Sequence, residues 1–286
     1  MARFSPFDIQ ARPNYLLGQA LSFVLFVVCL GLYIHTSKAR HQENPEDRVV
    51  PSAAQLRAGI HSSALEPAEE DDYIAPEGAG KWERFRHSMI WKDTASSGKR
   101  FGISLLLFLP AILLALHIGL YPYFNAGFMR FVLFFDKIVA LSLLPILIIV
   151  FGTDELSKIS LIFIGVAPTL ILDVIQMVKA VPQEQVVKSF TLGANDFDVT
   201  YRVVLKQIMP QIINSLRLNL KPIMLFLFAG EMIAASDGLA YRIAIMRRHM
   251  GMDVILPYVL WVALLLFLVD FGLRLVNKRM HPWFQS

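Results

Sequence analysis

A single cysteine, Cys29, is all the thiol chemistry in 286 residues, so the chain can form neither an intrachain disulfide nor a CxxC metal site. Charge is scarce as well. Asp, Glu, Lys and Arg make up 17% of the residues, where about 25% is usual for soluble domains. With a mean hydropathy of +0.52, that deficit excludes intrinsic disorder as a description of the whole chain. The basic excess is only 27 Lys and Arg against 23 Asp and Glu, too small to suggest a nucleic-acid-binding domain. There is no HExxH pair and no glycine-rich dinucleotide loop. Gly78-Ala79-Gly80-Lys81 ends as a phosphate-binding loop does. However, the loop's first glycine would fall on Ala75, and Trp82 stands where Ser or Thr should hold magnesium. The chain therefore shows no nucleotide-hydrolysing machinery, cofactor site or metal site of its own. The seven histidines are scattered, and His117, deep in an apolar run, reads as a packing residue rather than a ligand.

The 55% of hydrophobic residues are gathered into runs. Residues 14–34 carry no charge; neither do 101–129, though Pro122 and Asn125 should end that span near Tyr121. Uncharged residues fill 138–153, extended by 131–135 across Asp136-Lys137. Residues 159–178 carry only Asp173, residues 218–235 only Lys221 and Glu231, and residues 254–269 none. A bilayer core about 30 Å thick needs roughly 20 such residues as helix. The expected fold is all-α: a polytopic membrane bundle of six transmembrane helices. The alternation of an outer-membrane barrel is absent. The first run is longer than a cleaved signal peptide's apolar core, so it reads as an anchor.

Lys and Arg in short loops set orientation. With six spans, ten fall on the side of both termini (among them Arg130, Lys179, Lys188, Arg202 and Lys206) and four on the other (Lys158, Arg242, Arg247 and Arg248). Both termini and the loop between the fourth and fifth spans should therefore face the cytoplasm. Residues 35–99 form a long polar loop on the opposite side, with five acids among the seven residues 66–72. The loop reads as a solvated, largely irregular linker, or as a docking strip for a basic partner. Residues 82–91 have the spacing of a short amphipathic helix lying on the outer surface.

The cytoplasmic loop 182–210 is the most patterned stretch. Pro182 and Glu184 suit a helix start. Gly193 suits a left-handed stop, and Asn195 or Asp196 a second cap. Phe197, Tyr201, Val204 and Ile208 then share one face of a second helix, with Pro210 before the next span. The pattern is a helix, a glycine corner and a helix. It is either an ordinary connector or a rigid elbow for a groove on another protein.

Ser189-Phe190-Thr191-Leu192-Gly193-Ala194-Asn195-Asp196, Arg202-Val203-Val204-Leu205 and Pro210 together resemble the cytoplasmic signature of ABC-importer permeases. Leu143-Leu144-Pro145-Ile146, Phe151-Gly152, Ser215-Leu216-Arg217-Leu218 and the run Gly230 to Tyr241 are similar to the nitrate/sulfonate/taurine branch. The signature departs where its Glu and two Ala fall on Val187, Lys188 and Ser189. The resemblance implies a type I importer permease fold. The apolar runs divide the chain into a cytoplasmic N-terminus (1–13), a first span (14–34), the polar loop (35–99), a five-span core (100–276) with the elbow 182–210, and a cytoplasmic tail (277–286). The resemblance also implies an inner-membrane location and a second permease copy, in a homodimer. The implied partners are ABC ATPase subunits that hold ATP and magnesium, and an extracytoplasmic solute-binding protein. The function implied is inward movement of a small polar or anionic solute, the chain itself being no enzyme. Ser189, Phe190, Leu192, Gly193, Ala194, Asn195, Asp196, Tyr201 and Arg202 are the candidate coupling residues. Glu231, Arg217, Pro145 and Gly238 are the candidate pathway or gate residues. A permease-like scaffold that assembles a complex through 35–99 without transporting is the alternative.

Two further expectations come from the spans. Pro110, Pro145, Pro168, Pro222 and Pro257 lie one in each of the last five, and each should remove a helix hydrogen bond and favour a kink. Glu231 costs about 2.5–3.5 kcal/mol if charged at a helix centre, so it needs a partner or a proton. Arg217 lies 14 residues earlier, about 21 Å along a helix, which leaves Lys158 or Arg242 as candidate partners.

Overall fold

The computed structural model describes residues 15–43, 50–65, 81–249 and 251–283. The N-terminal segment 1–13 and the acidic stretch 66–72 lie outside them. The described residues form helices and no strand. In chain order these are α1 (Tyr15–Glu43), α2 (Ala53–Leu65), α3 (Lys81–Arg86), α4 (Met89–Leu120), α5 (Pro122–Asp136), α6 (Leu144–Phe151), α7 (Glu155–Lys179), α8 (Gln183–Thr191), the single turn α9 (Asp196–Asp198), α10 (Leu205–Leu218), α11 (Leu220–Ala234), α12 (Leu239–Arg248) and α13 (Met252–Met280). A 3-10 turn, Ala140–Leu143, leads into α6, and a π-helical stretch, Val199–Val204, joins α9 to α10.

Among the described residues five stretches are long and apolar enough to cross a membrane, and a bent pair, taken as one span, makes a sixth. The third expected span is that pair. α5 and the segment Ala140–Phe151 meet at 83° instead of forming one straight helix. The break falls at Lys137 to Val139, beside the charges that interrupt the apolar run.

α7 is the central helix. Glu155 in its first turn and Lys179 in its last suit the helix dipole. It packs against α4, α5, α6, α10 and α11. Phe108, Leu116, Ile162, Leu170, Val174, Ile223 and Leu227 are fully buried among these helices. Lipid tails are as apolar as such side chains, so close packing, rather than exclusion of water, holds this core together. Gly165 shows how close: a Cβ there would lie 2.5 Å from the Phe226 ring of α11. α4 stops at Tyr121 because Pro122 follows; the residue before a proline is pushed to extended geometry, here φ −100°, ψ 122°. Pro122 then starts α5, where its missing N–H costs nothing.

Several expectations need correcting. Residues 35–99 are not largely irregular where they are described, since they hold the end of α1, then α2, α3 and the start of α4. α2 lies against the start of α13, and the Tyr33 hydroxyl of α1 donates to the Pro51 carbonyl at 2.9 Å. The amphipathic stretch 82–91 is split at His87-Ser88, and Phe85 packs its ring against Trp91 and Trp261. Pro210 lies inside α10 rather than ahead of a span. Of the five span prolines, Pro110, Pro168 and Pro257 are helix-internal. Pro145 sits in the first turn of α6, where helix N–H groups have no intrahelical acceptor, so it removes no bond; Pro222 follows Asn219, whose helical backbone carries α10 into α11.

Candidate functional site

Two constructions stand at opposite ends of the bundle. α4 links them. Arg100 near its start and His117 near its end are 17 residues apart, about 25 Å along the axis.

At the His117 end, 182–210 forms the expected elbow. Pro182 and Glu184 open α8. Gly193, at φ +86°, closes it: its N–H donates to the Phe190 carbonyl at 2.9 Å, and the Ala194 N–H to the Ser189 carbonyl at 3.1 Å. Those two bonds are the Schellman arrangement, which needs a left-handed residue and so favours glycine. The Asn195 carboxamide oxygen then accepts the Asp198 N–H at 2.8 Å and caps the next helix. Arg202 pairs with Asp198 at 3.1 Å on the surface. No residue of α8 is buried. Val187, Phe190, Leu192 and Phe197 stand exposed, Leu192 at 78%.

The expected single face of the second helix divides. Phe197 points outward, while Val204 and Ile208 are buried, because the π-helical stretch shifts the phase between them. Tyr201 turns inward. Its hydroxyl lies 3.4 Å from His117 Nε2 and its ring 4.6 Å from that of Phe197. The Thr200 and Tyr121 hydroxyls are 3.4 Å apart. The root of the elbow is thus fastened to the α4–α5 junction, and its tip is apolar and open. His117, whose other ring nitrogen contacts the Leu113 carbonyl at 2.7 Å, is the packing residue expected.

At the Arg100 end, charges are buried. Arg100 is 2% exposed, and its fork is fully used. Nε and Nη2 donate to the two oxygens of Glu155 at 2.6 and 2.8 Å, a bidentate pair. Nη1 donates to Glu231 Oε1 at 2.8 Å and to the Asp237 carbonyl at 2.9 Å; Nη2 also donates to the Asp237 carboxylate. Glu231, fully buried, accepts further from the Ser97 hydroxyl at 2.7 Å and the Ala240 N–H at 3.0 Å. Asp237 lies outside the spans. Burial pushes its carboxyl up, but hydrogen bonds from Arg100 and Ser96 outweigh that and hold it below the usual carboxylate value.

Gly238 follows at φ +122°, and a Cβ on it would lie 2.7 Å from both Arg100 Nη1 and the Glu231 carboxyl carbon. Bare backbone is what lets the start of α12 come so close. There Ala240 donates to Glu231, and Leu239 to Ser97 at 2.9 Å, so acceptors gather at a helix N-terminus. Alongside, Asp93 accepts from the Tyr258 hydroxyl at 2.9 Å and Arg242 at 3.1 Å. A polar cavity of about 380 Å³ opens here, lined by Asp93, Asp237, Tyr241, Arg242 and His249 among others.

Glu231 and Gly238 are therefore brought together. The partner expected for Glu231 is corrected: Lys158 reaches Glu155 at 3.3 Å and Arg242 reaches Asp93, while Arg100 takes Glu231. Arg217 is elsewhere, paired with Asp270 at 2.9 Å. Pro145 lies exposed at the start of α6. Arg100, Glu155, Asp237 and Asp93 were missed as site residues. The available signal was Arg100 itself, the last cation before an uncharged run, on the same side as Glu231. Among the described residues no group of His, Cys, Asp or Glu is arranged to hold a metal ion. The ionic cluster is instead a clasp joining α4, α7, α11, α12 and α13.

The profile of the family described as "Binding-protein-dependent transport system inner membrane component" matches residues 102–282. The taurine transport system permease protein TauC of Escherichia coli (strain K12) is 29% identical over 70% of this chain and 73% of its own length. The putative aliphatic sulfonates transport permease protein SsuC of Bacillus subtilis (strain 168) is 26% identical over 69% of this chain and 76% of its own. A solved chain from an inward-facing MetNI methionine ABC transporter superposes with a TM-score of 0.54 at 19% identity. It covers 67% of this chain and 94% of that one. At that identity the likeness speaks for the fold alone.

Proposed function

We infer the function from one premise: the chain belongs to the binding-protein-dependent transport system inner membrane component family, and is the permease subunit of an ABC importer. On that footing we propose that the elbow faces the cytoplasm and seats in a groove of an ABC ATPase subunit, which holds the ATP and magnesium. The permease works as a homodimer, and an extracytoplasmic binding protein delivers solute to the Arg100 end. The solute is a small organic anion of the sulfonate kind. The relatives that transport taurine or are named for aliphatic sulfonates support that class. The orientation draws support from the ten-to-four distribution of Lys and Arg. No observation favours the scaffold alternative.

One observation carries the coupling assignment. Val187, Phe190, Leu192 and Phe197 expose an apolar surface on a rigid elbow whose corner is capped by its own neighbouring residues. An exposed apolar patch rimmed by polar residues marks a protein contact. Rocking of the ATPase would move the elbow, and Tyr201 and Thr200 would pass that motion to the α4–α5 junction.

The test is co-expression with the ATPase encoded beside the gene. Leu192→Asp leaves every buried contact intact, since Leu192 is 78% exposed. It should weaken the complex about thirtyfold, as loss of a hot spot worth about 2 kcal/mol does. An unchanged complex, or a wild-type permease that never co-purifies with that ATPase, overturns the coupling role.

A further inference from the structure

The break between α5 and α6 belongs to neither construction. Asp136 closes α5, and the Thr169 hydroxyl of α7 donates to its Oδ1 at 3.0 Å. Lys137 Nζ donates to its Oδ2 at 2.9 Å. Thr169 fixes the depth. It lies 14 residues after Glu155 and 10 before Lys179, about 21 Å and 15 Å from the two ends of α7. Asp136 is also 14 residues, about 21 Å, beyond the elbow-side start of α5 at Pro122. Both counts put the pair near the middle of the membrane.

Three features there cannot face hydrocarbon. The Lys137 side chain is 79% exposed. Its four-carbon stem cannot carry the ammonium across a half-thickness of about 15 Å to the interface. The backbone is irregular as well, since the 83° bend interrupts the helix at 137–139. Non-helical backbone at this depth is tolerated only where it is buried in protein or lines a water-filled cavity. Thr169 is exposed on the same side. A charge, a bend and a hydroxyl at one level therefore require water or polar company in the assembled transporter.

We propose that Lys137 lines the solute path at mid-membrane and is a binding site for the anionic group of the solute, with Asp136 and Thr169 holding it in place. This rests on the permease reading above. An arriving sulfonate or carboxylate takes the ammonium as a charge-assisted partner, and Asp136 keeps its bond from Thr169. When the anion leaves, Lys137 returns to Asp136. The cation is thus never stranded, and the site can release as well as bind.

The experiment uses the full-length transporter with its ATPase, in membranes, with Cys29→Ser as background. Lys137→Cys and, separately, Val139→Cys are treated with a charged, membrane-impermeant methanethiosulfonate, with and without taurine or ethanesulfonate. Val139 is 68% exposed on the same break, and its replacement leaves the charge pair in place. Leu113→Cys, 44% exposed on α4 at similar depth, is the lipid-facing control. Both break positions should react about a hundredfold faster than the control, in keeping with the cost of carrying charge to a helix centre. Sulfonate should slow them. Reaction as slow as at Leu113→Cys overturns the path. Fast reaction that neither sulfonate slows overturns the anion site. Uptake by Lys137→Arg should exceed that by Lys137→Gln; equal uptake also counts against the site. If the elbow variant fails its own test while this labelling holds, the coupling reading falls and the water path stands.

Discussion

The two ends of the bundle use polar chemistry in opposite ways. At the elbow every hydrogen bond that shapes the turn spans a few positions: Asn195 to Asp198, Ala194 to Ser189, Arg202 to Asp198. None of those groups is buried, and the apolar side chains beside them are exposed. At the clasp most of the bonds between helices join residues 55 to 165 positions apart, and their central charges are buried. The elbow is stiff because of its local sequence; the clasp is stiff only when five helices have already met. The partner contact proposed for the elbow suits the first design. The second depends on all its members at once, because a buried ion pair offers little net stability yet is costly to break.

That difference predicts where one substitution costs most. Arg100→Met leaves Glu231 at 0% exposure without its cation. Breaking one partner of a buried pair costs about 3–5 kcal/mol, which thermal unfolding of the purified chain in detergent should read. Arg100→Met with Glu231→Gln should recover much of the loss, since Ser97 and the Ala240 N–H can still serve a neutral amide. If the single variant unfolds with the wild type, the clasp anchors nothing and the contrast between the ends collapses.

The same difference explains how far the sequence could be read. The elbow's start, stop and cap all lie between Pro182 and Asn195, so residue chemistry alone located them. The spans followed from apolar runs for the same reason. The break at 137–139 was blurred, because a charged pair between two apolar runs reads equally as a boundary or as an interruption. Phe197, Tyr201, Val204 and Ile208 were placed on one face because six residues of π-helix leave no mark in spacing. Glu231's need for a partner was legible from burial cost. Which cation would meet it was not, since Lys158, Arg242 and Arg100 all sit at the same end and only packing selects among them. Helices in 35–99 were hidden because α2 gains its stability from α13, which lies far along the chain.

Two glycines sharpen the comparison at intermediate size. Both have positive φ, yet only one has neighbours in the way. Gly238→Ala adds a Cβ 2.7 Å from Arg100 and Glu231, so backbone strain of about 1–3 kcal/mol is joined by damage to the clasp. Gly193→Ala meets nothing within 4 Å and should cost only the left-handed penalty of about 1–2 kcal/mol. Asparagine, which tolerates that geometry, should be milder at 193 but not at 238. Equal losses for the two alanines in detergent unfolding would show that crowding at the clasp is unimportant.

The smallest expected effect is a pH dependence at the clasp's half-open edge. The Asp237 side chain is 40% exposed, so water screens much of what it contributes. Its carboxyl is nevertheless held below its ordinary value of 3.8, with Arg100 and Ser96 outweighing burial. A lowered value means that the folded chain holds the proton less tightly than the unfolded one. The contribution is therefore fully present above about pH 4 and fades as acid approaches the lowered value. The difference in unfolding temperature between wild type and Asp237→Asn should stay level from about pH 7 to 5 and shrink below about pH 4. The elbow provides the control, because Arg202→Gln breaks only the exposed Asp198 pair and should move stability by no more than about 0.5 kcal/mol. A wild-type advantage over Asp237→Asn that grows on acidification would reverse the sign and remove Arg100 as the group that holds the Asp237 carboxylate.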